Sequence, residues 1–287
     1  MIFHRKILLL LFVLPVFISC TEIIDIKLDS TYSRLVVFGT ITTDSLRHEV
    51  MLTSTTDYFY NEPPPALENA SVSVAFDDTI LFLEESMVQP GTYLFPDAFR
   101  GVPGTTYSLE IRDVDIDKDG ATELYNAETS MPDIARADSI RLQKFITPFF
   151  SGYQVALWSP EPSGLHYYNY KLLRNGILIN KRLSDYTVQT DEFFKNDYIS
   201  GIPVGFLNDD EENEVINPGD TVTLEINSIT ESYYNFIVDA QSEIFGNNPL
   251  FSGPPANVPS NISNGATGIF TAYSIDTVSV EATIPFF

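Results

Sequence analysis

The chain has 287 residues, of which 44% are hydrophobic and 19% are charged, so it can bury a sizeable core. Acidic residues outnumber basic residues by 39 to 16, which gives a formal net charge of −23 at pH 7. This balance excludes nucleic acid as an expected partner, because phosphate backbones are bound by clustered Lys and Arg. It also argues against a charge-driven attachment to an anionic membrane surface.

The first twenty residues divide into three parts. His4-Arg5-Lys6 is basic, Ile7–Ile18 is an apolar run, and Ser19-Cys20 follows directly. As a helix this run rises about 18 Å, which is shorter than the roughly 30 Å hydrocarbon core of a bilayer. The pattern therefore predicts a signal peptide over residues 1–19 rather than a membrane span.

Cys20 is the only cysteine of the chain, so a disulfide within the chain is excluded. Residues Val16–Cys20 resemble a lipobox, with Phe17 where Leu is usual. Two interpretations are open: a buried thiol in a fold, or the lipid-modified first residue of a bacterial lipoprotein. The sequence favours the second, because Cys20 follows the signal-peptide pattern directly and the residues before it resemble a lipobox. Several acyl chains on one cysteine anchor a protein firmly. Residues 20–30 are then a lipid-anchored tether.

Short segments rich in Val, Ile, Thr, Tyr and Phe follow, and turn residues separate them. They are Arg34–Thr42, His48–Thr55, Ala70–Phe76, Gly91–Phe95, Thr106–Arg112 and Tyr125–Met131. Turns every 8 to 12 residues are typical of antiparallel sandwiches. The spacing predicts an N-terminal β-sandwich over residues 31–132, and Met131-Pro132-Asp133 is the expected domain boundary.

Residues 133–287 contain further strand-like segments and one helical pattern. Asn175-Gly176 predicts a tight hairpin, because both residues accept a positive φ. Apolar residues recur at helical spacing near residue 237, Ser228 and Glu231 have the spacing of a capping box, and Gly246 can end a helix. We therefore predict a mainly β protein of two antiparallel Ig-like or transthyretin-like β-sandwich domains. The second domain, 133–287, carries one amphipathic helix at about 229–245.

One acidic turn matches part of a calcium loop. Asp115, Asp117, Asp119 and Gly120 occupy positions 1, 3, 5 and 6 of the D-x-D-x-D-G pattern. Position 12, which is normally a bidentate Glu, is Asn126, and the flanking residues are strand-like rather than helical. Two interpretations stay open: a polar hairpin turn, which the sequence favours, or a Ca²⁺ site formed by the three aspartates.

The histidines and serines of the chain do not form a recognisable metal-binding or catalytic motif. Neither His48 nor His166 has metal-ligand spacing, no G-x-S-x-G elbow occurs, and both histidines are predicted at the surface. We predict no catalytic residue.

The acidic run Asp209–Glu214 is interpreted as a solvated loop, with cation binding as the alternative. The long loop Asn247–Gly265 is a candidate for contacts. Six aromatic residues are either a platform for a peptide or sugar or ordinary strand packing: Trp158, Tyr167, Tyr168, Tyr170, Tyr233 and Tyr234.

Several short motifs occur in a fixed order along nearly the whole mature chain. They are Cys20-Thr21-Glu22, Val36–Thr42, Glu68–Val74, Gly91-Thr92-Tyr93, Gly104–Leu109 and Gly268-Ile269-Phe270. In this order the chain resembles a family of exported lipoproteins of Bacteroidota, domain of unknown function family 4249. The N-terminal half is also similar to carboxypeptidase-regulatory-like sandwich modules.

The resemblance implies a lipoprotein of the outer membrane, at the cell surface or on the periplasmic face, often associated with a TonB-dependent transporter. It implies no established activity, and lipidated Cys20 is the only functional residue that carries over. We therefore expect a non-enzymatic accessory or ligand-binding component of a TonB-dependent nutrient import system, with no cofactor other than the hypothetical Ca²⁺. The alternatives are a surface adhesion or structural lipoprotein without a transporter and a carboxylate-dependent glycan hydrolase.

Overall fold

The structure is a computed structural model that describes residues 33–46, 48–56, 62–117, 119–192, 198–246 and 258–283. The predicted signal peptide, Cys20 and the tether lie outside the described residues. Most of the described chain forms strands, with one α-helix and one short 3-10 turn, so the predicted mainly β fold is confirmed. Among these residues we find no helix with the length and hydropathy needed to cross a membrane.

Among the described residues, eight strands precede residue 131. They are β1 (Leu35–Thr42), β2 (Glu49–Ser54), β3 (Ser71–Phe76), β4 (Thr79–Phe82), β5 (Glu84–Glu85), β6 (Thr92–Leu94), β7 (Thr106–Val114) and β8 (Glu123–Ser130). Eight more follow with one helix. They are β9 (Ser139–Thr147), β10 (Phe150–Pro160), β11 (Tyr167–Arg174), β12 (Ile177–Leu178), β13 (Thr187–Thr190), β14 (Tyr198–Asn208), β15 (Thr221–Ile229), α1 (Glu231–Phe245) and β16 (Thr267–Glu281).

The strands form three sheets. The largest has nine strands in the order β12-β11-β15-β16-β1-β2-β6-β5, with β13 paired to β11. The second has the order β4-β3-β7-β8, and the third has the order β14-β10-β9. The pairing of β1 with β16 is parallel, and the other pairings between named strands are antiparallel. The parallel pair is a feature that the predicted antiparallel sandwiches did not include.

Two hydrophobic cores pack against the same face of the nine-stranded sheet. In the first core, Val37 and Phe270 from this sheet meet Leu109 from the four-stranded sheet. In the second core, Leu224 from this sheet meets Val155 from the three-stranded sheet. Successive side chains of a strand point to opposite faces, so each strand of the large sheet gives alternate residues to a core.

The strand β16 contributes to both cores. Phe270 and Ala272 lie in the first core, whereas Val278 and Val280 pack against the second. The backbone of this 15-residue strand continues through Ile275 and Asp276 without a break, so one strand reaches both cores. The boundary predicted at residues 131–133 falls between β8 and β9. The division into domains 31–132 and 133–287 stays a prediction, and residues from Ser33 onward group into one compact unit.

The local turn and helix signals agree with the structure, with one correction. Asn175 and Gly176 both have a positive φ and join β11 to β12, as the hairpin signal predicted. Helix α1 begins two residues later than the proposed capping box implies, because Thr230 is the N-cap and accepts a hydrogen bond from the backbone N–H of Tyr233. Ser228 instead lies in β15, where its hydroxyl accepts a hydrogen bond from the backbone N–H of Ala135.

The parallel pair can be tested at Gly268, which has a φ of +102° and lies against the backbone of β1. A Cβ added at this position would overlap the carbonyl oxygen of Val37. We expect Gly268→Ala to lower the free energy of unfolding by about 2–5 kcal/mol, because a strained φ and steric overlap add together. Urea denaturation followed by circular dichroism measures the change.

Gly104→Ala is the matched control, since Gly104 also has a positive φ but has open space around the added Cβ. Its expected cost is about 1–2 kcal/mol, from the backbone conformation alone. Equal costs for the two substitutions would contradict the close contact between β1 and β16.

Candidate functional site

The calcium hypothesis rests on three aspartates that the structure brings together in the turn between β7 and β8. Carboxylate oxygens of Asp115, Asp117 and Asp119 lie within 4.8 Å of one another. Each aspartate also accepts a hydrogen bond from a backbone N–H within the turn, at 2.7–3.1 Å, and Gly120 has a φ of +92°. These features are those of a polar hairpin turn. Asn126, at position 12, lies in β8, so Ca²⁺ binding stays a hypothesis that the geometry of the turn does not require.

The nine-stranded sheet has a second face, opposite the two cores, which we call the outer face. Helix α1 covers one part of it, where Phe236 and Ile237 pack against Ile269 and Tyr273 of β16. The ring of Phe38 in β1 makes an edge contact with the ring of Phe236, at 6.2 Å between centroids. The remaining outer face has no helix on it in the described part of the chain.

Two neighbouring clefts lie on this uncovered part. The first has a volume of about 540 Å³ and reaches from β11 and β12 to β2, and the second has about 600 Å³ and reaches from β1 to β6. Phe38, Glu49 and Met51 line both clefts, so we treat them as one groove. Phe38 and Met51 are 42% and 39% exposed, which is unusual for apolar side chains in the middle of a sheet.

The polar groups of the groove carry an excess of negative charge. Asp44, Glu49 and Glu225 line the first cleft, together with one lysine, Lys171. The Lys171 ammonium is already engaged, since its Nζ lies 3.3 Å from the Glu225 carboxylate and 5.4 Å from the centre of the Tyr273 ring. Among the described residues, no lysine or arginine forms an ion pair with Asp44 or Glu49, so these carboxylates favour a ligand that carries positive charge.

His48 lies at the edge of this cleft, and its predicted surface position is wrong. Its side chain is buried, with Nε2 2.8 Å from the Thr42 hydroxyl, and its ring makes edge contacts with Phe95 and Phe99. The Thr42 hydroxyl in turn donates to Asp44 at 2.7 Å. Burial lowers the pKa of His48, so its ring is held neutral. The side chain lies between the first core and the groove and has a structural role there.

A second cluster was not predicted from the sequence. Glu161 follows β10, His166 precedes β11, and Asp191 follows β13, and their ligand atoms lie within 4.8 Å of one another. His166 Nδ1 is 2.6 Å from Asp191 Oδ2, and the backbone N–H of His166 donates to Asp191 Oδ1 at 2.8 Å. Burial and the nearby Asp191 raise the pKa of Glu161 to about 7.

No local signal could have found this cluster. Two of its members are joined by the antiparallel pairing of β11 with β13, which sets Tyr167 opposite Thr190 and so brings the next residues, His166 and Asp191, together. His166 and Asp191 are 25 residues apart in the chain, so no motif of closely spaced ligands contains both.

Three further predictions concern the acidic run, the six aromatic residues and the long loop. In the acidic run, Asp209 pairs with Lys144 while Asp210, Glu211 and Glu212 are exposed, which agrees with a solvated loop. The aromatic platform is not formed, because none of its six residues is exposed and Tyr168 and Tyr170 belong to the second core. The loop 247–265 is described only from residue 258, so most of it lies outside the described residues.

Comparison with known proteins gives one family. A search of curated proteins finds no match. The model of a domain of unknown function, DUF4249, matches residues 21–279, which is most of the chain and includes both cores and the outer face of the large sheet. The protein therefore belongs to the DUF4249 family.

Proposed function

We propose that this protein is a non-enzymatic lipoprotein that is anchored to the outer membrane through Cys20 and binds an extended, positively charged peptide segment in its groove. In this proposal it is an accessory or ligand-binding component of a TonB-dependent nutrient import system. The observation that carries the binding role is the groove itself, where two joined clefts lie on the part of the outer face that, in the described chain, no helix covers.

The dimensions of the groove favour an extended ligand. It crosses the strands from β11 through β15, β16, β1 and β2 to β6. Five steps between neighbouring strands span about 24 Å, since each step is about 4.7–4.9 Å. An extended peptide rises about 3.3–3.6 Å per residue, so about seven residues fill this length.

The composition of the groove favours a peptide with both apolar and basic side chains. Phe38 and Met51 offer apolar surface at the junction of the two clefts. Glu49 is exposed at the same junction, so it can pair with a lysine or arginine of the ligand without being buried first. A segment of the transporter and a transported peptide share this chemistry.

The charge of the groove can be tested with a pool of labelled seven-residue peptides, each with two lysines among apolar residues. We expect Glu49→Lys to weaken their binding about tenfold at about 0.1 M salt, because an attraction of up to about 1 kcal/mol becomes a repulsion. Fluorescence anisotropy with the intact mature protein measures the change, and a matched pool with glutamate for lysine reports charge selectivity.

Glu212→Lys is the matched control, since it makes the same charge change at an exposed position of the acidic run. It is expected to leave binding within about twofold, because Glu212 does not line the groove and salt screens an exposed charge. Equal losses in the two variants, or equal binding of both peptide pools, would contradict a specific site in the groove. Turnover of a glycan by the wild-type protein would instead favour the glycan hydrolase alternative.

The anchor is tested separately at Cys20. We expect the wild-type protein to fractionate with outer membranes and Cys20→Ser to appear in the soluble fraction, because the substitution removes the thiol that carries the lipid. Thr21→Ser, which keeps the cysteine, is the control and is expected to stay with the membrane. From membranes solubilised in mild detergent, a TonB-dependent receptor is expected to co-purify with the wild-type protein.

Membrane retention of the Cys20→Ser variant would contradict the anchor. Recovery of the wild-type protein alone under mild conditions would contradict a stable complex with a transporter and would favour the adhesion or structural alternative.

A further inference from the structure

The cluster of Glu161, His166 and Asp191 lies outside the groove and has an unusual charge balance. The side chains of Glu161 and Asp191 are only 6% and 2% exposed, so both carboxylates are nearly removed from water. Among the described residues, no lysine or arginine forms an ion pair with either of them. Two buried carboxylates side by side are costly unless a cation or a proton compensates them, and one histidine can supply only a single charge.

One imidazole and two carboxylates together are side chains that can bind a divalent metal ion. We propose that Glu161, His166 and Asp191 bind one divalent cation of the zinc class. One imidazole nitrogen and two carboxylate oxygens are ligands that zinc takes, whereas calcium prefers oxygen alone.

The distances fit this assignment after a small adjustment. Ligand atoms about 2.0–2.2 Å from a shared zinc ion lie at most about 4.4 Å apart. The three ligand atoms are within 4.8 Å of one another, and His166 Nδ1 lies 3.9 Å from Glu161 Oε1. The contact of 2.6 Å between His166 Nδ1 and Asp191 Oδ2 is a hydrogen bond, which opens when Nδ1 loses its proton to bind the metal.

Neighbouring groups orient the ligands. The backbone N–H of His166 donates to Asp191 Oδ1, and the Tyr168 hydroxyl donates to Glu161 Oε1 at 3.1 Å. In metal sites, hydrogen bonds from groups that do not touch the metal fix the orientation of the side chains that bind it. Tyr168 is itself held by a stacked contact with the buried Tyr170, at 6.0 Å between ring centres. The site is thus built on the second core rather than on a free loop.

The cluster also has an open side. The His166 side chain is 32% exposed, in contrast to the two carboxylates, so a cation can enter past the imidazole and keep water as a further ligand. The bound ion links the segment after β10 to the residue before β11 and the residue after β13. This role is separate from peptide binding, because none of the three ligands lines the groove.

Titration calorimetry with Zn²⁺ tests the proposal on the untagged mature chain with Cys20→Ser, so that no thiol competes for the metal. We expect one equivalent to bind. The variants Glu161→Gln and His166→Gln are expected to weaken binding about a hundredfold or more, since each removes a direct ligand while keeping a side chain of similar size. Asp117→Asn, in the acidic turn, is the control and is expected to keep wild-type affinity.

X-ray absorption of the zinc-loaded chain gives a readout that does not depend on how well the variants fold. We expect one imidazole nitrogen and a shell of oxygens at about 2.0–2.2 Å. The proposal is overturned by the lack of saturable binding at one equivalent, or by undiminished affinity in both glutamine variants. It is equally overturned by loss of zinc in Asp117→Asn alone, or by a spectrum without an imidazole or with several.

Discussion

The parallel pairing of β1 with β16 is the constraint on which the rest of the structure depends. It joins strands from opposite ends of the described chain, with Val37 opposite Gly268 and Thr42 opposite Tyr273. On its other edge β16 pairs with β15 over eight positions. One 15-residue strand therefore holds together the sheet against which both cores pack, and neither sandwich is complete without it.

The outer face follows from this arrangement. Because both smaller sheets pack on the same side of the nine-stranded sheet, α1 is the one helix among the described residues that covers the other side. The helix is 15 residues long and buries Phe236, Ile237 and Ala240. A helix of this length cannot cover six strands, and the uncovered remainder is the groove. The proposed binding surface is thus a consequence of strand order, whereas the proposed cation cluster depends on the separate pairing of β11 with β13.

Local chemistry was predictable from the sequence, and pairing between distant segments was not. The Asn175-Gly176 hairpin and the apolar stripe of α1 have signals within a few residues, and the structure confirms both. The parallel strand pair and the contact of His166 with Asp191 have no such signal, because each depends on the order of strands in the sheet. The buried position of His48 was missed for a similar reason, since the rings that cover it come from beyond β2.

We infer that β16 couples both cores into one cooperative unit that presents the groove. Native-state amide hydrogen exchange tests it most directly, because it reports the free energy of opening strand by strand. We predict that the amides of β16, of β7 in the first core and of β10 in the second core exchange only by global unfolding, with one common free energy. A clearly lower free energy for β16, or different values for β7 and β10, would contradict the claim.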